Sequence, residues 1–211
     1  MATITIRRLA GAVTTAAVGS LVAVTLAAAP ASATTGTRSL AAVLAADGAS
    51  FDHNEYDFDI LDAAVTAVLK AKPNSAVKVL TDGTTTLTAF LPKDYAFKKL
   101  IQELSGKWVD DEGKVFATVA GLLGVDGVEK VLLYHVVPGT YIDAAAASKA
   151  NGANLPTALG PTIGVWVHHG MIVLKDKDPQ LYDATVRIPD INKHNRQIAH
   201  GIDRVLVPMD L

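Results

Sequence analysis

The sequence predicts an α+β domain, and two observations carry that assignment. Between residue 39 and Gly139 the apolar residues recur mostly at helical spacing, and after Gly139 they alternate with a period of two. Helices gathered ahead of strands, with no regular alternation between them, argue for segregated layers rather than a doubly wound parallel sheet. No internal repeat and no low-complexity tract interrupts this order.

Residues 1–33 read as a signal peptide. Arg7 and Arg8 form a basic start, Leu9 to Ala29 is apolar, and Ala31-Ser32-Ala33 supplies a small-x-small cleavage site. The run is rich in Ala, Gly and Thr, too weakly apolar to favour a membrane anchor. The paired arginines leave both the general and the twin-arginine export routes open. The 178 residues from Thr34 to Leu211 suffice for one domain with a sizeable core. They hold 17 basic against 21 acidic residues, so no basic face for nucleic acid or an anionic membrane is expected. Cysteine is absent, so an exported form must rest on its core rather than on disulfides. With no further long apolar segment after Ala33, a soluble, unanchored, monomeric protein is expected.

The elements follow in order. Residues 34–38 form a short polar leader, and the domain proper is expected over 39–211. Ser39 can cap a first helix through Ala46. Residues 47–57 are polar and turn-prone. From Asp59, Leu61, Ala64, Val65, Val68 and Leu69 mark one face of a helix that Pro73 ends. Val77–Leu80 and Thr85–Phe90, around Asp82-Gly83, predict a hairpin. Asp94 reads as the N-cap of a helix with Phe97, Leu100, Ile101 and Leu104 inward. Val115–Leu123 predicts another, with Val115, Val119, Leu122 and Leu123 inward. Asp126 and Glu129 read as a capping box for a helix ending near His135. Gly164–Leu174 predicts two strands joined at His169-Gly170, Asp183–Ile191 a third and Ile198–Val207 a last. Residues 151–161 are the most loop-like interior segment.

Candidate chemistry is sparse. There is no Gly-x-Ser-x-Gly elbow, no cysteine nucleophile, no His-Glu-x-x-His and no glycine-rich phosphate loop. The acidic run Asp52–Asp59 puts Tyr56 and Asp57 where a calcium loop needs an oxygen ligand and a glycine, and it reads as a solvated loop leading into a helix. His168 and His169 point to opposite faces of a strand unless the turn bends them together. No metal, cofactor or catalytic residue is therefore expected. Tyr134, His135 and His200 lie among residues expected to be buried. There they would knit helix to sheet, or Tyr134-His135, flanked by Leu132, Leu133, Val136 and Val137, would form a partner-binding patch. Asp203 and Arg204, adjacent on a strand, would bond neighbouring loops rather than each other.

Three ordered blocks resemble the fasciclin domain family. The first is Phe90-Leu-Pro92-Lys93-Asp94-Tyr-Ala96-Phe97, with Lys93 where the family has Thr. The second is the Tyr134-His135 pair among aliphatics, followed by Pro138-Gly139. The third runs from Ala199 through His200, Asp203 and Arg204 to Pro208, with Arg196-Gln197 in place of the family's Asn-Gly turn. The resemblance covers roughly residues 39–208, and is nearest to single-domain secreted members of actinobacteria, including secreted antigens of mycobacteria. It implies a wedge-shaped β-sandwich, a sheet folded on itself with a helical layer against it. It also implies an extracellular, non-catalytic module of cell adhesion that binds an unidentified protein, cell-surface or matrix partner. A carrier of a small apolar molecule is the alternative, since some fasciclin-type proteins bind carotenoids. Trp166, Met171 and Ile172, near the 151–161 loop, would then line its groove.

Overall fold

The computed structural model describes residues 36–46, 48 and 50–209, so the expected signal peptide lies outside the described residues. Helix α1 (Leu40–Leu44) opens the domain, and the Ser39 hydroxyl accepts the Ala42 amide at 3.2 Å as its cap. Helix α2 (Asp59–Ala71) buries Leu61, Ala64, Val65 and Val68, the stripe its spacing predicts. The leader is not loose at its end: Gly36 and Arg38 donate their amides to His194 and Asn195.

The expected hairpin at Asp82-Gly83 does not form. Residues Ala76–Thr81 make a 3-10 helix, and only β1 (Leu87–Pro92) is a strand. Val77 and Leu80 are the buried pair, a spacing of three that suits a 3-10 turn and defeats a strand's alternation. A distant residue fixes the turn. Gln197, fully buried, donates its side-chain amide to the carbonyls of Val79 and Asp82, both at 2.8 Å, and accepts the Leu40 amide at 2.7 Å. The residue standing in for the family's turn is thus a three-way tie between sheet and helices.

Helix α3 (Asp94–Ser105) follows β1 directly, and α4 (Glu112–Tyr134) packs against both α2 and α3. The two helices expected between Val115 and His135 are this one element, kinked at Gly124, whose φ of 62° and ψ of 176° interrupt the ladder. Asp126 and Glu129 do not form a capping box. Both carboxylates instead converge on the Lys72 ammonium beyond the end of α2, Asp126 at 2.7 Å. Among the described residues no helix is long and apolar enough to cross a membrane.

The remaining elements are β2 (Val136–Pro138), α5 (Ala144–Ala147), β3 (Asn154–Pro156), β4 (Thr162–His168), β5 (Met171–Lys175), β6 (Ala184–Ile191) and β7 (Gln197–Ile202). His169 and Gly170 both take positive φ, 48° and 78°, giving the tight turn that joins β4 to β5. All seven strands form one sheet in the order β2-β1-β7-β6-β5-β4-β3. The β1–β7 pair is parallel and the others antiparallel. The two edges return toward each other, the Ala158 amide beyond β3 donating to the Val136 carbonyl of β2 at 2.7 Å. The sheet therefore closes nearly into a barrel, which is the form its folding on itself takes here.

Strand β1 is buried on both faces. Leu87, Ala89 and Leu91 join the core beneath the helices, while Phe90 joins a second core inside the curved sheet with Tyr134, Ile163, Val165, Leu174, Ile202 and Leu206. One short strand thus holds two apolar layers together.

Candidate functional site

The Tyr134-His135 segment lies where α4 turns into β2, and it is interior. Tyr134 is wholly buried and its hydroxyl donates to the Thr162 carbonyl at 3.0 Å. Burial, with the Asp176 charge added, raises its phenol above the ordinary range. His135 bridges two carbonyl-rich segments: Nδ1 lies 2.7 Å from the Val131 carbonyl, and Nε2 accepts the Leu206 amide at 2.9 Å. That amide can only donate, so Nδ1 carries the proton and the ring is neutral. Burial pushes its pKa down to about 4, against the Val131 bond. Leu132, Val136 and Val137 are buried and Leu133 half-buried. A partner approaching the folded domain meets neither the phenol nor the imidazole.

His200 repeats the arrangement from β7 with the other tautomer. Its Nδ1 accepts the Asp190 amide at 3.3 Å, so Nε2 carries the proton toward the Ile142 carbonyl at 2.8 Å. The ring stacks on Phe90 with centroids 6.0 Å apart, and burial lowers its pKa. Asp203 and Arg204 sit just beyond β7 and serve different neighbours. Asp203 accepts from the Thr185 amide and from Arg187 Nε at 2.8 and 2.7 Å, while Arg204 Nε reaches Glu103 at 3.1 Å. With both ring nitrogens of each imidazole committed, neither histidine has a free lone pair for proton abstraction.

Asp94, expected to cap α3, points elsewhere. Lys93 is the residue preceding that helix, and Asp94 Oδ1 accepts the Ile60 amide of α2 at 3.0 Å. Pro92 ends β1, and the buried Phe97 opens the α3 core face as its position predicts. Carboxylate oxygens of Asp59, Asp94 and Glu112, all buried, lie within 4.8 Å of one another. The loop before α2 is thus not simply solvated, since Asp57 and Asp59 are inside. Among the described residues these three, and the neighbouring group Asp52, Asp57 and Asp59, have the spacing to hold a cation. A fully buried ammonium already stands beside them, Lys98 Nζ at 3.2 Å from Glu112 and 3.6 Å from Glu55 and Asp110. Burial opposes its charge, but Glu112 and the other two acids outweigh that and raise its pKa. Asp94 is pushed up to about 8, chiefly by burial and by Asp57 beside it, the Ile60 amide pulling the other way.

Two of the cavities among the described residues bear on function. The first is a groove of about 290 Å³ between α3, α4 and the segment after β7, walled by Phe97, Leu100, Val119, Leu123, Val131 and Val205. Leu104 and Met209 stand half-exposed at its rim, and Leu122 is 67% exposed. The helical spacing places Leu104 and Leu122 inward, but the kink at Gly124 and the end of α3 leave their faces uncovered. The residues expected to line a groove near the 151–161 loop do not share one environment: Trp166 and Met171 are exposed, Ile172 is buried, and the Lys175 ammonium lies 4.4 Å from the Trp166 ring centre. The turn does bring His168 and His169 together, rings edge-on with centroids 4.1 Å apart. The second cavity, about 580 Å³, is of mixed character, with Lys93, Arg187, Asp203 and Arg204 beside Tyr56, Tyr95 and Ile188. Lys93 and the arginines were legible only as isolated charges, because β1, β6 and the end of β7 bring them together from distant positions.

A model of the fasciclin domain matches residues 62–208. Among solved structures the chain is similar to a FAS1 domain pair from the insect cell adhesion molecule Fasciclin I, with 19% identity and a TM-score of 0.49. That match covers 72% of this chain and 48% of the other, so the chain spans about half the length of the pair. No curated protein matches the chain at a significant level.

Proposed function

The chain belongs to the fasciclin domain family, and from that premise we propose that it is a secreted interaction module that binds a protein or cell-surface partner without catalysis. The apolar groove between α3 and α4 carries this reading. An exposed leucine, a half-exposed leucine and a half-exposed methionine along the groove make an apolar surface of the kind that marks a contact site. The buried Tyr134, His135 and His200 serve the fold, holding the helix end to the sheet, and are not the contact surface.

The same groove favours a second reading, a carrier of a small apolar molecule. Its volume of about 290 Å³ lies at the lower end of small-molecule sites, and its walls offer almost no polar group to orient a charged ligand. The native mass of protein recovered from its own culture medium separates the two. A mass equal to residues 34–211 supports the interaction module and cleavage after Ala33. An added mass that denaturation releases supports the carrier. Retention of the intact starting mass in the producing cells would sink the secreted reading altogether.

A further inference from the structure

The second cavity holds a cation with no carboxylate in direct contact among the described residues. Lys93 follows β1, its backbone pinned by the amide bond to the Ile202 carbonyl at 3.1 Å, and it is only 6% exposed. Its ammonium rests 4.6 Å from the centre of the Tyr56 ring. Among the described residues no carboxylate lies within ion-pair distance of it. The acids around it are spoken for. Asp203 accepts from Arg187, Glu103 from Arg204, and Glu55 faces Lys98. Among the cations that line the cavity, Lys93 is thus the one with no carboxylate in direct contact among the described residues.

The guanidinium groups also keep donors in reserve. Arg187 binds Asp203 through Nε alone, and Arg204 uses Nε and Nη1, so the outer edges of both forks are uncommitted among the described residues. Such edges match a planar carboxylate in two-point contact. One directly unpaired ammonium flanked by two guanidinium edges suits a carboxylate. A bare carboxylate would leave most of about 580 Å³ empty. The remaining wall combines two phenol rings, Ile188 and charged groups, so the body attached to that carboxylate meets ring faces and hydrogen-bonding groups together, an environment that suits the hydroxylated ring of a sugar. Tyr56, 70% exposed, and Tyr95 offer ring faces for it.

We propose that this cavity binds an acidic sugar, its carboxylate between Lys93 and the two arginines and its ring against Tyr56. The apolar groove takes no part, so this site stands or falls separately from the function proposed above. Burial, the largest influence, lowers the Lys93 pKa, and a bound carboxylate would offset that loss of hydration.

Calorimetric titration of the secreted chain with digalacturonate, its methyl ester and inorganic phosphate tests the assignment. Saturable binding of digalacturonate is expected at low salt, weakened at least tenfold by esterification and at least tenfold by Lys93→Met, which keeps the aliphatic stem. Tyr56→Ala, at an exposed position that cannot undermine the fold, should weaken it several-fold. Absence of binding, equal binding of the ester, or unchanged affinity in both variants overturns the proposal. Phosphate bound as tightly as digalacturonate overturns the carboxylate assignment.

Discussion

Asp94 begins α3 and caps α2: its Oδ1 lies 3.0 Å from the amide of Ile60, thirty-four residues earlier. The first family block thus joins two helices, and its aspartate is a tertiary residue rather than a local one. An N-cap contact contributes about 1 kcal/mol. Asp94→Ala should cost at least that, read as a lower midpoint in urea.

Asp94→Asn discriminates further, because the amide can still accept from Ile60. The folded carboxyl titrates near 8, above its unfolded value, so the native state holds the extra proton. Its contribution is complete below the ordinary carboxylate range and is lost as pH rises through about 8. Urea midpoints measured between pH 5 and 9 should fall on the alkaline side for the parent, and fall less for Asp94→Asn. Parallel curves would refute the raised carboxyl of Asp94.

His135 acts in the opposite direction. Its folded pKa near 4 lies below the usual imidazole value, so its contribution is present above about 6.5 and is lost as pH falls toward 4. The loss amounts to about 3 kcal/mol at full extent. His135→Ala should destabilise at neutral pH by about 2–4 kcal/mol, since it leaves the Leu206 amide and the Val131 carbonyl unpaired and a void behind. The variant's acid limb should be shallower than the parent's, followed by near-ultraviolet dichroism across pH 4–7.

How much of this was legible in the sequence depends on where each partner lies. Helix α2, the α3 stripe and the β4–β5 turn depend on neighbours within seven residues, and the spacing of Leu61, Phe97 and Gly170 predicts them. The 3-10 helix at Ala76–Thr81 was hidden because Val77–Leu80 is a short apolar run that either structure accommodates, and Gln197 decides it from the far end of the chain. Asp126 was misread for a similar reason: its partner, Lys72, lies in another element. The groove was unreadable because Leu122 keeps helical spacing yet faces outward beside a kink that only backbone geometry reveals.

Lys98 gives the largest expected loss. Its ammonium has no exposed surface and faces Glu112, equally buried. Lys98→Met removes the cation and leaves the acid behind, a change that costs about 3–5 kcal/mol in such settings. Thermal unfolding should show it, and Lys98→Met combined with Glu112→Leu should recover much of the loss.

Leu122→Asp tests the groove without touching the core. The side chain is largely in water, so stability should change by less than about 0.5 kcal/mol. Binding of an apolar fluorescent dye, and retention of the chain on its cell-surface partner, should drop together. Unchanged dye binding would remove the groove from consideration.

Strands β1 and β7 lie side by side within the sheet, yet more than a hundred residues separate them in the chain. Until the ribosome has delivered Gln197–Ile202, the sheet has a gap between β1 and β6 that no other strand fills. Everything made earlier, including the helices that should rest on it, waits with its apolar face uncovered. Such a chain assembles late and all at once, and closing so long a loop makes it slow. That delay keeps the polypeptide threadable while it is being made. It also makes the interval before the last strand docks the moment of greatest exposure to aggregation and proteolysis.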